Sequence, residues 1–235
     1  MSKLSILIPV YNEVNTIIPL LDKVKSAKIN IEKEILIGDD GSSDGTRELL
    51  SKLPKDPQLK IIFLEKNIGR GGVIKHLWSI LSGNIIIHQD ADLEYDPSEY
   101  QSLIDPILKN NADIVFGSRF KGDIKKMRTL NQLGNKTMTW MCRLIYGINI
   151  SDLMTCYKIY RTSLINNLQI QANGFDFEAE LTARLAQQKA SFTEVKASFK
   201  GRTFEEGKKI RAFDAIHVIH KLISCKLQGK EKKQG

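Results

Sequence analysis

The chain has only three cysteines, Cys142, Cys156 and Cys225, and none stands at metal-ligand spacing from another. That argues against a disulfide scaffold and for a reducing, cytoplasmic setting. No run approaches the roughly 18 uncharged apolar residues that a membrane-spanning helix needs. Met1-Ser2-Lys3-Leu4 leads directly into a strand-like segment, so no secretory leader is expected. Linker-like stretches and internal repeats are also lacking. The 235 residues therefore read as one domain over 1–227, followed by a disordered basic tail over 228–235.

What is present is an ordinary globular composition, 42% hydrophobic and 26% charged, with a formal net charge of +8. The excess of positive charge points to an anionic partner: nucleic acid, an anionic membrane surface or a phosphorylated substrate. Nucleic acid is disfavoured, because the basic residues are spread along the chain and lack the stripe with stacking aromatics that such binding uses.

Hydrophobic patterning over the first 120 residues alternates between two periods. Strands are expected at 4–10, 34–38, 60–64, 84–88 and 112–116. Helices are expected at about 13–28, from a cap at Asp44 through 53, at 70–81, and from Pro97 to about 109. Repeated strand–helix units of this size imply an α/β fold with a mostly parallel sheet covered on both faces. Farther on, the pattern predicts helices at 127–146, 177–188 and 208–227, a strand at 191–199, and a return to the sheet at 157–160.

Asp90-Ala91-Asp92 directly follows the apolar run Ile85-Ile86-Ile87-His88. This places two carboxylates at the carboxyl end of a buried strand, the edge at which open α/β sheets bind ligands. Two carboxylates one residue apart suit a hard divalent cation, which in turn can hold a diphosphate. Other strand ends are equally polar: Pro9-Val10-Tyr11-Asn12-Glu13, Asp39-Asp40-Gly41-Ser42-Ser43-Asp44-Gly45-Thr46 and Gly117-Ser118-Arg119. Singly, Asn12 or Asp44 reads as a helix cap and Gly41 or Gly45 as a turn residue. Four such ends converging on one edge describe a nucleotide site. Gly69-Arg70-Gly71-Gly72 lacks dinucleotide-binding spacing and reads as a tight turn edging that pocket. His217 and His220 lack further ligands at useful spacing and read as part of a basic helix face.

In order and spacing these segments resemble the motifs of family 2 glycosyltransferases of the GT-A fold. Asp152-Leu153-Met154-Thr155-Cys156-Tyr157-Lys158 and Gly201-Arg202-Thr203-Phe204-Glu205-Glu206-Gly207-Lys208-Lys209 are similar to later motifs of the polyprenyl-phosphate hexose synthase branch. The resemblance covers about residues 4–211 and implies a single GT-A domain. It further implies an inverting enzyme that moves a hexose from GDP-mannose or UDP-glucose to a polyprenyl phosphate with Mg²⁺ or Mn²⁺. Position by position, Pro9, Tyr11, Asn12, Glu13, Asp40, Asp90, Lys208 and Lys209 would hold the nucleotide sugar. Asp90, Asp92 and Glu94 would form the metal site, although relatives often carry Gln where this chain has Glu94. Asp92, Arg119 and Arg202 would be catalytic, with Arg202, Lys208 and Lys209 on a loop that closes over phosphates.

The acceptor decides whether a general base is needed. A polyprenyl phosphate is already anionic and needs cations, for which Ser118, Arg119 and Arg128 are the candidates. A saccharide hydroxyl, as in cell-surface polysaccharide synthesis, would need a base such as Asp176, Glu178 or Glu180. The same three carboxylates also read as first-turn residues of a helix. A sugar-phosphate nucleotidyltransferase would show a Gly-rich basic loop after the first strand, where this chain has Tyr11-Asn12-Glu13. The stretch containing Met138, Trp140 and Met141 amid Lys136 and Arg143 fits an interfacial helix, as does the last helix, and both fit core faces as well. Membrane attachment would be peripheral, at the cytoplasmic face, or through a membrane partner protein.

Overall fold

The computed structural model describes residues 2–166, 168–202 and 214–231. Its five leading strands fall where the patterning put them: β1 (Lys3–Val10), β2 (Glu32–Asp39), β3 (Leu59–Phe63), β4 (Ile85–His88) and β5 (Ile114–Ser118). The helices between them are α1 (Ile17–Ser26), α2 (Thr46–Ser51), α3 (Arg70–Trp78) and α4 (Tyr100–Leu108). A two-residue strand β6 (Ile124–Lys125) precedes α5 (Thr129–Tyr146), and then come β7 (Lys158–Arg161) and α6 (Phe177–Gln187).

The expected strand at 191–199 divides into β8 (Phe192–Lys196) and β9 (Phe199–Lys200). β9 leaves the main sheet to pair with β6, and Phe199 also bridges to Tyr95. Helix α7 (Asp214–Glu231) runs past Leu227, where the apolar pattern ends; the earlier part of the expected 208–227 helix lies outside the described residues.

The main sheet has the order β3-β2-β1-β4-β7-β5-β8. Every neighbouring pair is parallel except those made by β7, which runs antiparallel to both β4 and β5. Alternation along β1 sorts the two faces. Leu4, Ile6 and Ile8 join the core under α1 and α4, and Leu7 joins the core under α3, α5, α6 and α7. The expected α/β layering, with helices on both faces, is therefore observed.

The sequence order reverses at β1, with β2 and β3 on one side and β4 on the other. This is a topological switch point, where the carboxyl ends of parallel strands open a crevice. The loops after β1, β2 and β4 all leave the sheet there.

Candidate functional site

The three loops are laced together before any ligand is considered. Asn12 adopts a left-handed backbone with φ 54°, a conformation Asn tolerates better than most residues. Its side-chain oxygen accepts the Ser43 N–H at 2.9 Å, and its own N–H donates to Ser42 Oγ at 2.9 Å. Asp44 accepts from the amides of Val14 and Thr46 and so ties the first loop to the start of α2.

Asp40 accepts the backbone N–H groups of Ile68 and Gly69 at 2.7 and 2.9 Å, one on each carboxylate oxygen. Burial pushes its pKa up, against the pull of those two amides. Each oxygen keeps a second lone pair for a ligand. Two glycines let α3 start this close. Gly69 has φ 85°, and a Cβ there would lie 2.5 Å from the Asn173 carbonyl; one on Gly71 would lie 2.6 Å from the Phe177 ring. The turn Gly69-Arg70-Gly71-Gly72 thereby presents Arg70 to the crevice, and Arg70 Nε donates to Asp90 Oδ1 at 2.8 Å.

Asp92 accepts the Glu94 N–H on Oδ1 at 3.1 Å and the Arg202 guanidinium on Oδ2 at 3.1 Å. Burial, then the neighbouring Asp90 and Glu94 charges, push its pKa up to about 7. Arg202 also closes a two-bond fork on Glu13, at 3.0 and 3.1 Å. Burial works against the guanidinium's charge, but Asp92 and Glu13 outweigh it and raise its pKa. Arg202 therefore pins the loop after β1 to the loop after β4.

Two cavities share this pin. One, of about 240 Å³, is lined by Pro9, Tyr11, Glu13, Asp40, Asn67, Gly69, Arg70, Asp90 and Asp92 among others. The other, of about 460 Å³, is lined by Asn12, Glu13, Asp44, Asp92, Lys126, Lys200 and Arg202 among others. Glu13 and Asp92 border both. Of the expected nucleotide-sugar residues, Pro9, Tyr11, Glu13, Asp40 and Asp90 meet in the first cavity and Asn12 in the second; Lys208 and Lys209 lie outside the described residues.

The remaining expected site residues are held by partners within the fold. The Glu94 charge lies close enough to Asp92 to add to burial in raising the Asp92 pKa; Glu94 Oε1 accepts the Arg202 N–H at 2.7 Å, and the Glu94 carbonyl accepts the Lys200 N–H. These bonds make Glu94 a brace between the loop after β4 and the start of the Arg202 segment.

Ser118 is fully buried with its Oγ 2.7 Å from Ser151 Oγ. Arg119 is also buried, and its Nε and Nη2 each lie 2.7 Å from an Asp152 oxygen. The edge that would grip a phosphate bidentately is thus spent on Asp152, and neither residue lines the cavities. Arg128 is exposed at the N-terminal boundary of α5.

Glu178 and Glu180 are buried, and neither they nor Asp176 line either cavity. Glu178 sits between Arg70 and Lys158, and Glu180 accepts the amides of Gln171 and Ala172. Asn67, Lys126 and Lys200 are cavity residues that the motifs did not single out, whereas Arg70 stands in the turn expected to edge the pocket. The signal for Arg70 is its place between two glycines at a strand–helix turn; the other three carry none.

Residues 5–169 match the family described as Glycosyl transferase family 2. The chain belongs to that family. Among its relatives is an undecaprenyl-phosphate mannosyltransferase of Micrococcus luteus, 26% identical over 211 residues that span 86% of this chain and 85% of that protein. Another is a polyprenol monophosphomannose synthase of Mycolicibacterium smegmatis, 27% identical, with 84% of this chain and 77% of that one aligned.

In three dimensions this family 2 chain is similar to the glucosyl-3-phosphoglycerate synthase of Mycobacterium tuberculosis, crystallised with Mn²⁺, uridine diphosphate and phosphoglyceric acid. The TM-score is 0.72 at 18% identity, with 96% of this chain and 78% of that one covered. The shared fold is the GT-A nucleotide-sugar transferase architecture expected from the sequence. The chain is a glycosyltransferase.

Proposed function

We propose that this glycosyltransferase moves a hexose from a nucleoside-diphosphate sugar, GDP-mannose or UDP-glucose, to a polyprenyl phosphate, with inversion at C1. The observation that carries the reading is the pair of cavities meeting at Glu13 and Asp92. The first offers apolar walls at Pro9, Tyr11 and Val73 and polar groups at Asp40 and Asn67, as a nucleoside needs. The second is lined by Lys126, Lys200 and Arg202, as an anionic acceptor needs. The Micrococcus and Mycolicibacterium relatives, named for transfer to polyprenyl phosphates, support the same acceptor.

The donor set fits Mg²⁺ or Mn²⁺. Asp90 and Asp92 supply hard oxygen ligands, and such cations are commonly held by one or two carboxylates with substrate phosphates completing the shell. Burial and then the Asp90 and Glu94 charges raise the Asp92 pKa, and a bound cation would relieve that charge crowding. When bound, such a cation supplies charge neutralisation on the leaving diphosphate.

The chain's own groups then do the rest. Arg202 and Arg70 hold the two aspartates in place, and Asp40 and Tyr11 wall the nucleoside. A phosphate oxygen of the acceptor bonds to C1 as the bond from C1 to the diphosphate breaks. No proton leaves the acceptor, so no base is required. The carboxylates that line the second cavity are all engaged: Glu13 and Asp92 by Arg202, Asp44 by backbone amides.

The deciding experiment incubates the protein with each labelled nucleotide sugar and either a polyprenyl phosphate or an oligosaccharide, with and without Mn²⁺. Expected is a lipid-extractable labelled product from one donor, lost on chelation and in Asp92→Ala. Label appearing only on saccharide hydroxyls would overturn the acceptor assignment.

A further inference from the structure

Each aspartate of the Asp90-Ala91-Asp92 turn already carries a cation supplied by the chain. Arg70 Nε donates to Asp90 Oδ1 at 2.8 Å, and Arg202 Nη2 donates to Asp92 Oδ2 at 3.1 Å. The two guanidiniums are anchored differently. Arg70 is also paired with Glu178, a buried carboxylate that lines neither cavity. Arg202 has its other anchor, Glu13, in the crevice itself, where Glu13 and Asp92 border both cavities. The Arg202 Nε is buried and has no hydrogen-bond partner among the described residues. A buried donor left without an acceptor costs free energy until something supplies one, and an anionic ligand in the crevice can.

The side chains of Asp92 and Arg202 are 15% and 21% exposed, so solvent screens their attraction only in part. A divalent cation that came alone to Asp92 would have to displace this guanidinium or share the carboxylate with it, and like charges that close repel. A diphosphate changes the balance. Its oxygens are anions that a guanidinium grips bidentately, so it gives Arg202 a partner in exchange for Asp92.

We propose that Arg202 is a resident counter-ion that occupies Asp92 until a nucleoside diphosphate arrives, and then passes to the diphosphate and leaves Asp92 Oδ2 to the divalent cation. Cation and nucleotide are thereby coupled through one side chain. Each binds better in the presence of the other, because Arg202 leaves Asp92 when it takes the diphosphate. The inference rests on Asp90 and Asp92 being the cation's ligands; it does not depend on which acceptor takes the sugar.

The test measures Mn²⁺ binding to the full chain by electron paramagnetic resonance of the free ion, without nucleotide and with saturating GDP or UDP. Wild type is expected to bind Mn²⁺ weakly alone and about tenfold or more tightly with the nucleotide. Arg202→Ala is expected to bind Mn²⁺ alone about tenfold more tightly than wild type, and to gain correspondingly less from the nucleotide. Arg202→Gln, which keeps a planar hydrogen-bonding group without the charge, should behave in the same way. Lys200 lines the second cavity and is exposed. Lys200→Ala removes a charge of the same sign, but a screened one, and should stay within about twofold of wild type.

Wild type that binds Mn²⁺ as tightly without nucleotide as with it would overturn the proposal. So would Arg202 variants that bind free Mn²⁺ no better than wild type, or a Lys200→Ala gain as large as theirs, which would make the effect one of general charge. In each of these cases Mn²⁺ still binds, and only the counter-ion role is lost. No Mn²⁺ bound under any condition would retire Asp90 and Asp92 as its ligands, and the counter-ion role with them.

Discussion

Arg202 and Asp92 sit 3.1 Å apart, Nη2 to Oδ2, although 110 residues separate them in the chain. Because the same guanidinium forks onto Glu13, one side chain sets the distance between two loops that border both cavities. A lysine cannot reproduce this. Its single ammonium has no planar fork and would serve one carboxylate at a time. Arg202→Lys is therefore expected to lower kcat/KM about 10- to 100-fold, with donor KM carrying much of the loss. Arg202→Ala should lose more. Steady-state kinetics on both variants, with unfolding curves as a control for folding, would check this; wild-type kinetics in Arg202→Lys would refute the pinning role.

Asp92 should show activity and stability moving in opposite directions. Its ionised form is opposed by burial and by Asp90 and Glu94 nearby, which is why its pKa stands near 7. Asp92→Asn removes that conflict and leaves Arg202 its fork on Glu13. Turnover should fall by about two orders of magnitude or more. Thermal unfolding in chelator at pH 8 should occur at the wild-type temperature or a few degrees above it. A variant that unfolds well below wild type under those conditions would contradict the account.

How much of this was legible in the sequence follows from the range of each interaction. The five leading strands and the Asp90-Ala91-Asp92 edge are local features. A short apolar run followed by acidic residues reads the same whatever surrounds it. The loop after β1 and Asp40 were legible for the same reason, as polar residues ending apolar strands.

The pairings were not legible. Nothing near Arg119 in the chain announces that Asp152 will take its guanidinium edge, and nothing near Glu94 says its carboxylate will meet the Arg202 amide. A motif gives residue types and spacing, whereas a buried arginine goes to whichever carboxylate the fold brings nearest. The two-sided helix α5 shows the same limit. Its periodicity contains two apolar faces, and only packing shows that Met138 and Cys142 point in while Trp140 and Leu144 point out.

Glu34 anchors the opposite end of the sheet and should govern acid stability. Its carboxylate is buried and accepts from Ser5 Oγ at 2.6 Å, Ser82 N at 2.6 Å and Ser82 Oγ at 2.7 Å, joining β1, β2 and the approach to β4. Burial alone would raise its pKa, but these hydrogen bonds and the Lys3 charge take it down to about 2. A carboxyl depressed on folding adds stability that is fully present above its unfolded value, and loses it as pH falls toward the folded one. From 4.5 to about 2, the difference corresponds to about 3 kcal/mol. Glu34→Gln should therefore be less stable than wild type by about that amount at pH 7, with the gap closing between pH 4.5 and pH 2. Urea titrations across that window would measure it; a gap independent of pH would sink the charge-based account.

Glu178 offers the sharpest separation between a structural charge and a catalytic base. It lies between Arg70 and Lys158, with the His88 ring beside it. Lys158 is wholly buried, and its other partners are the carbonyls of Leu153 and Thr155, each at 2.8 Å. Burial would raise the Glu178 pKa, but the two cations reverse this and hold it well below the ordinary range, which makes it a poor proton acceptor near neutrality. Glu178→Gln keeps the shape but strips the countercharge from a buried ammonium, a change that typically costs about 3–5 kcal/mol. Glu178→Leu/Lys158→Met removes both charges and should regain most of that stability. Turnover in the double variant should remain within about tenfold of wild type, because Arg70 still has Asp90. The opposite pattern, wild-type stability in Glu178→Gln with turnover lost in every variant, would make Glu178 the base and the acceptor a hydroxyl.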